Sequence, residues 1–196
     1  MMRLALACLF LTTSIAAADD EKPPGDLTVG LGVDALEVFS TSGGVATTKA
    51  TDQGTAYGVT LYAEYRITTH FSLGVAIPTR ENAPGPTSNA YSVGIALRLR
   101  GDFPLTPWLR PFVAITPELG VAHLPQGVWW NGHAVQVAGG GRFDLTTAVS
   151  VIAWLGLDFT SYSGDLTPPP PDPQMATAGS VRTAYFGLGA GLEYRF

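Results

Sequence analysis

Ala184-Tyr185-Phe186-Gly187-Leu188-Gly189-Ala190-Gly191-Leu192-Glu193-Tyr194-Arg195-Phe196 closes the chain and alternates without a break. Every even position from Ala184 to Phe196 is apolar. The odd positions are Tyr185, three glycines, Glu193 and Arg195. Successive side chains of a strand point to opposite faces, so this is a strand with one apolar and one polar or small face. A soluble sheet packed on one side gives the same alternation. Two features favour a membrane strand: the apolar stripe reaches the last residue, and it ends in an aromatic.

The other end of the chain agrees. Arg3 precedes an apolar run from Leu4 to Leu11, and Ala16-Ala17-Ala18 stands before Asp19-Asp20. That order predicts a cleaved signal peptide over residues 1–18, too short to be a membrane anchor. Cys8, the single cysteine, lies inside the apolar run with too little before it for a lipoprotein leader. Once the leader is removed, disulfides, thiol nucleophiles and cysteine-ligated metals are excluded. Loss of Arg3 takes the formal net charge from −5 to about −6. No basic block exists, which argues against nucleic acid as a partner.

After the leader no apolar run is long enough for a spanning helix. Apolarity is instead spread over eight alternating segments of about ten residues, the pattern of transmembrane strands. Residues 19–25 carry Pro23-Pro24 and are expected to be a periplasmic lead-in, with the barrel domain over 26–196. Strand one runs from about Asp26 to Phe39. Strand two presents Tyr57, Val59, Leu61, Ala63, Tyr65 and Ile67 on one face, and strand three Phe71 to Ile77. Strand four shows Tyr91 to Leu99, strand five Leu109 to Val121, and strand six Val135 to Leu145, interrupted at Gly139-Gly140-Gly141. Strand seven runs from Val149 to Phe159, and strand eight ends the chain. Loops are expected over Ser40–Gly54, Arg80–Ser88, Leu124–Asn131 and Ser161–Gly179, and short turns at Thr68–His70, Gly101–Pro107 and Thr146-Thr147.

Long and short connections therefore alternate. Outer-membrane barrels have short periplasmic turns and longer extracellular loops, so a periplasmic N-terminus puts every long loop outside and both termini in the periplasm. Charge gives an independent test. Glu64, Arg66, Arg98, Arg100, Arg110, Glu118, Arg142, Asp144, Asp158, Glu193 and Arg195 all fall on the phase opposite the apolar one. A lipid-facing Arg or Lys at mid-membrane costs about 2–4 kcal/mol, so lipid exclusion explains this one-sidedness, and Glu64, Arg66, Arg98, Arg142, Asp144 and Glu193 are expected to point inward and pair. Only Glu37 and Arg182 break the rule, both near the extracellular ends of their strands. They either meet across the seam between first and last strands or are solvated separately.

Aromatics are expected in two girdles. One holds Tyr65, Phe71, Phe103, Trp108, Phe143, Tyr194 and Phe196, and the other Phe39, Tyr57, Tyr91, Phe159, Tyr162 and Phe186. Pro111 and Pro117 fit poorly inside strand five, because each lacks a ladder N–H. Pro78 is easier, near a strand end. Trp154 falls on the lumen phase and is expected to fill the lumen.

Residues able to carry chemistry are few. His70 lies in a turn, while His123 and His133 flank the third outer loop, with no Ser or carboxylate placed beside them by spacing. Such histidines are ordinarily solvated, so no catalytic, cofactor-binding or metal-ligating residue is assigned. Gly139-Gly140-Gly141 lacks the setting of a phosphate loop and reads as bending or close packing. Pro168–Pro171 reads as a stiff spacer.

The terminal Leu192-Glu193-Tyr194-Arg195-Phe196 and the strand–turn rhythm resemble the small outer-membrane β-barrels of the type found in the transmembrane domain of outer membrane protein A. The resemblance implies an all-β, eight-stranded antiparallel up-and-down transmembrane barrel. It also implies outer-membrane lipid as surroundings and an assembly machinery that recognises the strand ending at Phe196. It carries no catalytic motif. The expected role is structural or surface-interacting and non-enzymatic, in a monomer, without cofactor and with an unidentified surface ligand. The alternatives are transport of small or apolar solutes, a lipid-modifying enzyme, and a soluble periplasmic β-sandwich.

Overall fold

A computed structural model describes residues 26–45, 48–49, 55–82, 90–123, 129–165 and 178–196. The expected signal peptide and lead-in lie outside the described residues. Eight long strands follow one another: β1 Leu27–Val45, β2 Thr55–Arg66, β3 Phe71–Asn82, β4 Ala90–Asp102, β5 Leu109–His123, β6 Trp129–Asp144, β7 Val149–Asp165 and β8 Ala178–Arg195. Thr48–Lys49 folds back on the end of β1. Each long strand pairs antiparallel with the next, and β1 pairs with β8. The sheet is a closed barrel. Closure satisfies the edge N–H and C=O groups that lipid cannot.

Register fixes the geometry. Partners followed once round the wall from Val33 are Val59, Thr79, Val93, Val121, Asn131, Ser163 and Ser180. The path then returns to β1 at Gly44, well above its start, with a bulge between Val38 and Ser40. For eight strands this stagger means a tilt of about 40°. On β7 the apolar outward residues run from Val149 to Phe159. At about 3.3 Å per residue and that tilt, they make a band about 25 Å tall, the height of a hydrocarbon core.

Burial is inverted relative to a soluble protein. Leu31, Val33, Ile95, Leu119, Leu155, Leu188 and Leu192 are each more than half exposed, whereas Glu64, Arg100, Arg142, Asp158 and Glu193 are at most 2% exposed. The apolar phase read from sequence is the outer wall, and the charged phase lines the lumen. A soluble sandwich would pack the apolar face against a second sheet, and here there is one closed sheet.

The three short turns share one device. In each, an apolar residue and a following Thr donate backbone N–H bonds to the carbonyl of the first residue of the next strand: Ile67 and Thr68 to Phe71, Leu105 and Thr106 to Leu109, Leu145 and Thr146 to Val149. In the second and third turns the Thr hydroxyl also accepts the N–H of Leu109 (3.0 Å) or Val149 (2.9 Å). The Thr sits three residues before each strand, so its short side chain closes the turn locally.

Several boundaries differ from expectation because strands rise beyond the apolar band. β1 continues past Phe39 to Val45, β3 past Arg80 to Asn82, β6 begins at Trp129, and β7 and β8 extend to Asp165 and from Ala178. Beyond the band the outward positions turn polar and the alternation fades, although the ladder continues. The extension moves Arg80 from the expected loop into the lumen and puts Glu81 on the outer face. Gly139–Gly141 does not interrupt β6. At Gly140 a Cβ would strike the Ala153 carbonyl and the Trp154 backbone, so this glycine serves close packing.

The prolines are accommodated by gaps in the ladder. Pairing of β3 with β4 is missing between Ala76–Ala96 and Thr79–Val93, beside Pro78. Pairing of β4 with β5 is missing between Ala96–Glu118 and Leu99–Ile115, beside Pro117. Each gap is the cost of an absent N–H. Pro78 is thus mid-strand, not near an end as expected. Pro111 lies just past the end of β4, where its carbonyl accepts the N–H of Phe103 at 2.8 Å.

The seam between β1 and β8 is closed, yet Glu37 and Arg182 do not meet. Glu37 stands opposite Phe186, and Arg182 stands opposite Ser42. The register of the seam sets them five residues apart along β1.

Candidate functional site

The interior of the barrel is packed with polar and aromatic side chains in layers. Nearest the short turns, four arginines face four carboxylates. Arg98 donates to Glu64 at 2.5 Å, and Arg100 reaches Glu64 at 3.1 Å, Asp102 at 3.1 Å, and Glu193. Arg142 reaches Asp144 at 2.8 Å and Glu193 at 3.4 Å, while Arg110 reaches Asp144 at 3.1 Å. Ser150 donates to Asp144 at 2.6 Å, and the Tyr62 hydroxyl donates to Glu193 at 2.7 Å. At the rim Arg66 lies 3.9 Å from Asp26, and Arg195 lies 3.8 Å from Asp144. The expected inward pairing of Glu64, Arg66, Arg98, Arg142, Asp144 and Glu193 is what the structure shows.

The middle layer is apolar. Tyr62, Phe112, Ile152 and Trp154 fill the cross-section with Ala76, Ala96, Ala114 and Ala138 between them. The Arg98 guanidinium lies 4.5 Å from the Tyr62 ring centre, and that of Arg100 lies 5.3 Å from the Phe112 ring centre. These stackings tie the ionic layer to the aromatic one.

Above it carboxylates outnumber cations. Arg80 alone serves Glu118 at 2.7 Å and Asp158 at 2.7 Å. Asp34 feels the charges of both Arg80 and Asp158, and it accepts the Trp154 indole N–H at 2.8 Å. Leu36, Ala56 and Tyr185 pack together higher on β1, β2 and β8. Towards the loop end Trp130, Tyr162, Ala122 and Val181 form a further cluster. Tyr162, expected in the outer girdle, therefore points inward.

Histidine is not concentrated anywhere. His70 makes a 2.9 Å contact with the Thr69 hydroxyl in its turn. His123 and His133 sit on β5 and β6, not on a loop. Their partners on the adjoining strand are Trp129 and Leu119, so they are not brought together. His123 stacks on Tyr91 with ring centres 5.0 Å apart and meets Trp129 edge-on at 4.9 Å. Among the described residues no group of three His, Cys, Asp or Glu side chains is arranged to hold a metal ion.

Arg80, Asp34, Asp102 and Trp130, with Tyr62 and Phe112 of the middle layer, are among the lumen residues that sequence reasoning did not place. Phase carries the signal for Asp34 and Asp102, which keep the lumen parity of their own strands. For Arg80 and Trp130 the signal was masked by setting the strand boundary too low.

Comparison with solved structures decides what kind of barrel this is. Neisserial surface protein A superposes with a TM-score of 0.59 at 15% identity, covering 88% of this chain and 100% of that one. The fold is that of a small outer-membrane β-barrel. The outer membrane protein OprG from Pseudomonas aeruginosa gives 0.53 at 14% identity, over 88% of this chain and 96% of that one. The outer membrane protein AlkL, solved in lipid bilayers, gives 0.53 at 14%, over 92% and 94%. No protein-family model matches the chain. No curated protein matches it either.

Proposed function

We propose that the protein is an integral outer-membrane barrel whose role is structural or surface-interacting and non-enzymatic, with both termini in the periplasm. The observation that carries this reading is the filled lumen. An eight-stranded barrel is just wide enough for side chains to fill, and here two ionic layers, the aromatic layer of Tyr62 and Trp154 and the Trp130–Tyr162 cluster occupy it. A solute passing through would have to displace buried, paired charges. What remains available for interaction is the outer wall and the extracellular ends of the strands.

The partners follow from the same reading. Lipid surrounds the apolar band, and the strand ending at Tyr194 and Phe196 is the segment an assembly machinery would recognise. Single-channel recording in planar bilayers tests the closed lumen: the inserted barrel should hold no stable open level. A sustained conductance from the wild-type protein would favour transport instead. An epitope placed within residues 174–178 should be reached by antibody on intact cells. Labelling only after the outer membrane is permeabilised would reverse the orientation.

A further inference from the structure

Arg182 is exposed on the outer face, at an outward strand position of β8. Glu37 lies elsewhere on the seam, and no carboxylate among the described residues pairs with Arg182. On β8 the outward residues run from Tyr194 through Leu192, Leu188 and Phe186 up to Arg182. Twelve residue steps at about 3.3 Å and a tilt of about 40° place Arg182 about 30 Å above Tyr194, some 5 Å beyond the apolar band. That is the depth of headgroups.

A groove of about 400 Å³ opens on the outer wall at this point. Register sorts its lining into two rows. Val135, Phe159 and Ala184 are mutual partners across β6, β7 and β8 and form the lower row. His133, Ser161 and Arg182 form the row directly above. Within one step up the wall the groove changes from hydrocarbon to a guanidinium, an imidazole and a hydroxyl. A lipid changes in the same direction at its glycerol or sugar backbone.

We propose that this groove is a binding site for one phosphate-bearing lipid of the surrounding leaflet, its phosphate on Arg182 with Ser161 and His133 beside it, and its upper acyl segment against Phe159 and Val135. Charge complementarity commits the site to an anion. A guanidinium without a carboxylate partner makes its strongest hydrogen bonds to phosphate. The apolar lower row commits it to a lipid over free phosphate. The chain as a whole is acidic, so no general basic surface would gather anions here.

The inference rests on the barrel's residence in a membrane, and the experiment separates the two. The full barrel is folded into micelles containing phosphatidylcholine with a small fraction of phosphatidic acid, and folding is confirmed by gel mobility without heating. Failure to insert at all would count against membrane residence. For inserted protein, native mass spectrometry reads the lipid retained. Wild type should keep one phosphatidic acid in preference to phosphatidylcholine. Arg182→Gln should lower that retention about tenfold. Ser161→Ala should lower it less, and Glu81→Gln, on the far side of the wall, should leave it unchanged. Equal retention of the two lipids by wild type, an unchanged Arg182→Gln variant, or competition by millimolar inorganic phosphate alone would overturn the proposal.

Discussion

Arg80 is the test of how the lumen is held together. It is the single cation paired with Glu118 and Asp158, each at 2.7 Å, and all three are at most 6% exposed. Asp34 adds a third carboxylate within range of its charge. Arg80→Met keeps the length of the side chain and removes the charge, leaving buried carboxylates without a counter-ion. Breaking one buried pair by removing a partner costs about 3–5 kcal/mol, and here two pairs go together, so a loss of at least about 4 kcal/mol is expected. With a urea slope of about 2 kcal/mol/M, the unfolding midpoint should fall by about 2 M.

Two comparisons make that number specific. Arg98→Met removes a cation whose partner Glu64 still has Arg100 at 3.1 Å, so the loss should be only about 1–3 kcal/mol. The triple variant Arg80→Met, Glu118→Gln, Asp158→Asn removes the whole cluster and should recover most of the stability. Replacing a complete buried ionic group by neutral residues is often nearly neutral. The assay is urea unfolding of the folded barrel in vesicles, followed by tryptophan fluorescence. An Arg80→Met midpoint within about 0.5 M of wild type, or a triple variant no better than the single one, would refute the reasoning.

Other outcomes are expected in the same terms. Tyr194→Asp with Phe196→Asp puts two charges on the lipid face of the last strand and should sharply reduce folded protein in the outer membrane; normal levels on an unheated gel would count against it. Trp154→Ala with Tyr62→Ala removes two of the four large side chains of the middle layer and should lower the urea unfolding midpoint by at least about 1.5 M; a midpoint within about 0.5 M of wild type would count against it. Gly140→Val drives a side chain into the Ala153 carbonyl and should block folding, with protein recovered only in the unfolded gel band.

Much of this barrel was legible because lipid imposes a strict rule. Every outward position of the band had to be apolar, so the phase of β2 to β8 could be read from residues such as Leu61, Ile95, Val137 and Leu188. The lumen partners Glu64, Arg98, Arg142 and Glu193 then followed by parity. What the rule does not govern was harder. Above the band the outward residues are Ser161, Asn131 and Glu81, which look like loop residues although the ladder continues through them. Arg80 was lost for that reason. The bulge at Val38–Ser40 shifts parity by one residue with no glycine or proline to announce it, and the seam register that keeps Glu37 and Arg182 apart could not be read from either strand. The outer groove spans β6 to β8 and depends on stagger, which no single strand encodes.

Stagger and glycine together explain why so polar a lumen closes at all. Bulky inward side chains lie over inward glycines one or two strands away. A Cβ at Gly32 or Gly189 would strike the Trp154 indole, one at Gly30 would strike the Tyr62 ring, and one at Gly94 would strike the Glu118 carboxylate. The glycines therefore mark, from the other side of the contact, which residues fill the barrel. A wide lumen would leave these charges wet and individually weak. The narrow one presses Arg80 onto its carboxylates and Trp154 onto Asp34 in water-poor surroundings, where each bond is stronger and each orphan more costly. Stability and closure are then one property, because the side chains that plug the lumen are the ones whose removal leaves unpaired charge behind.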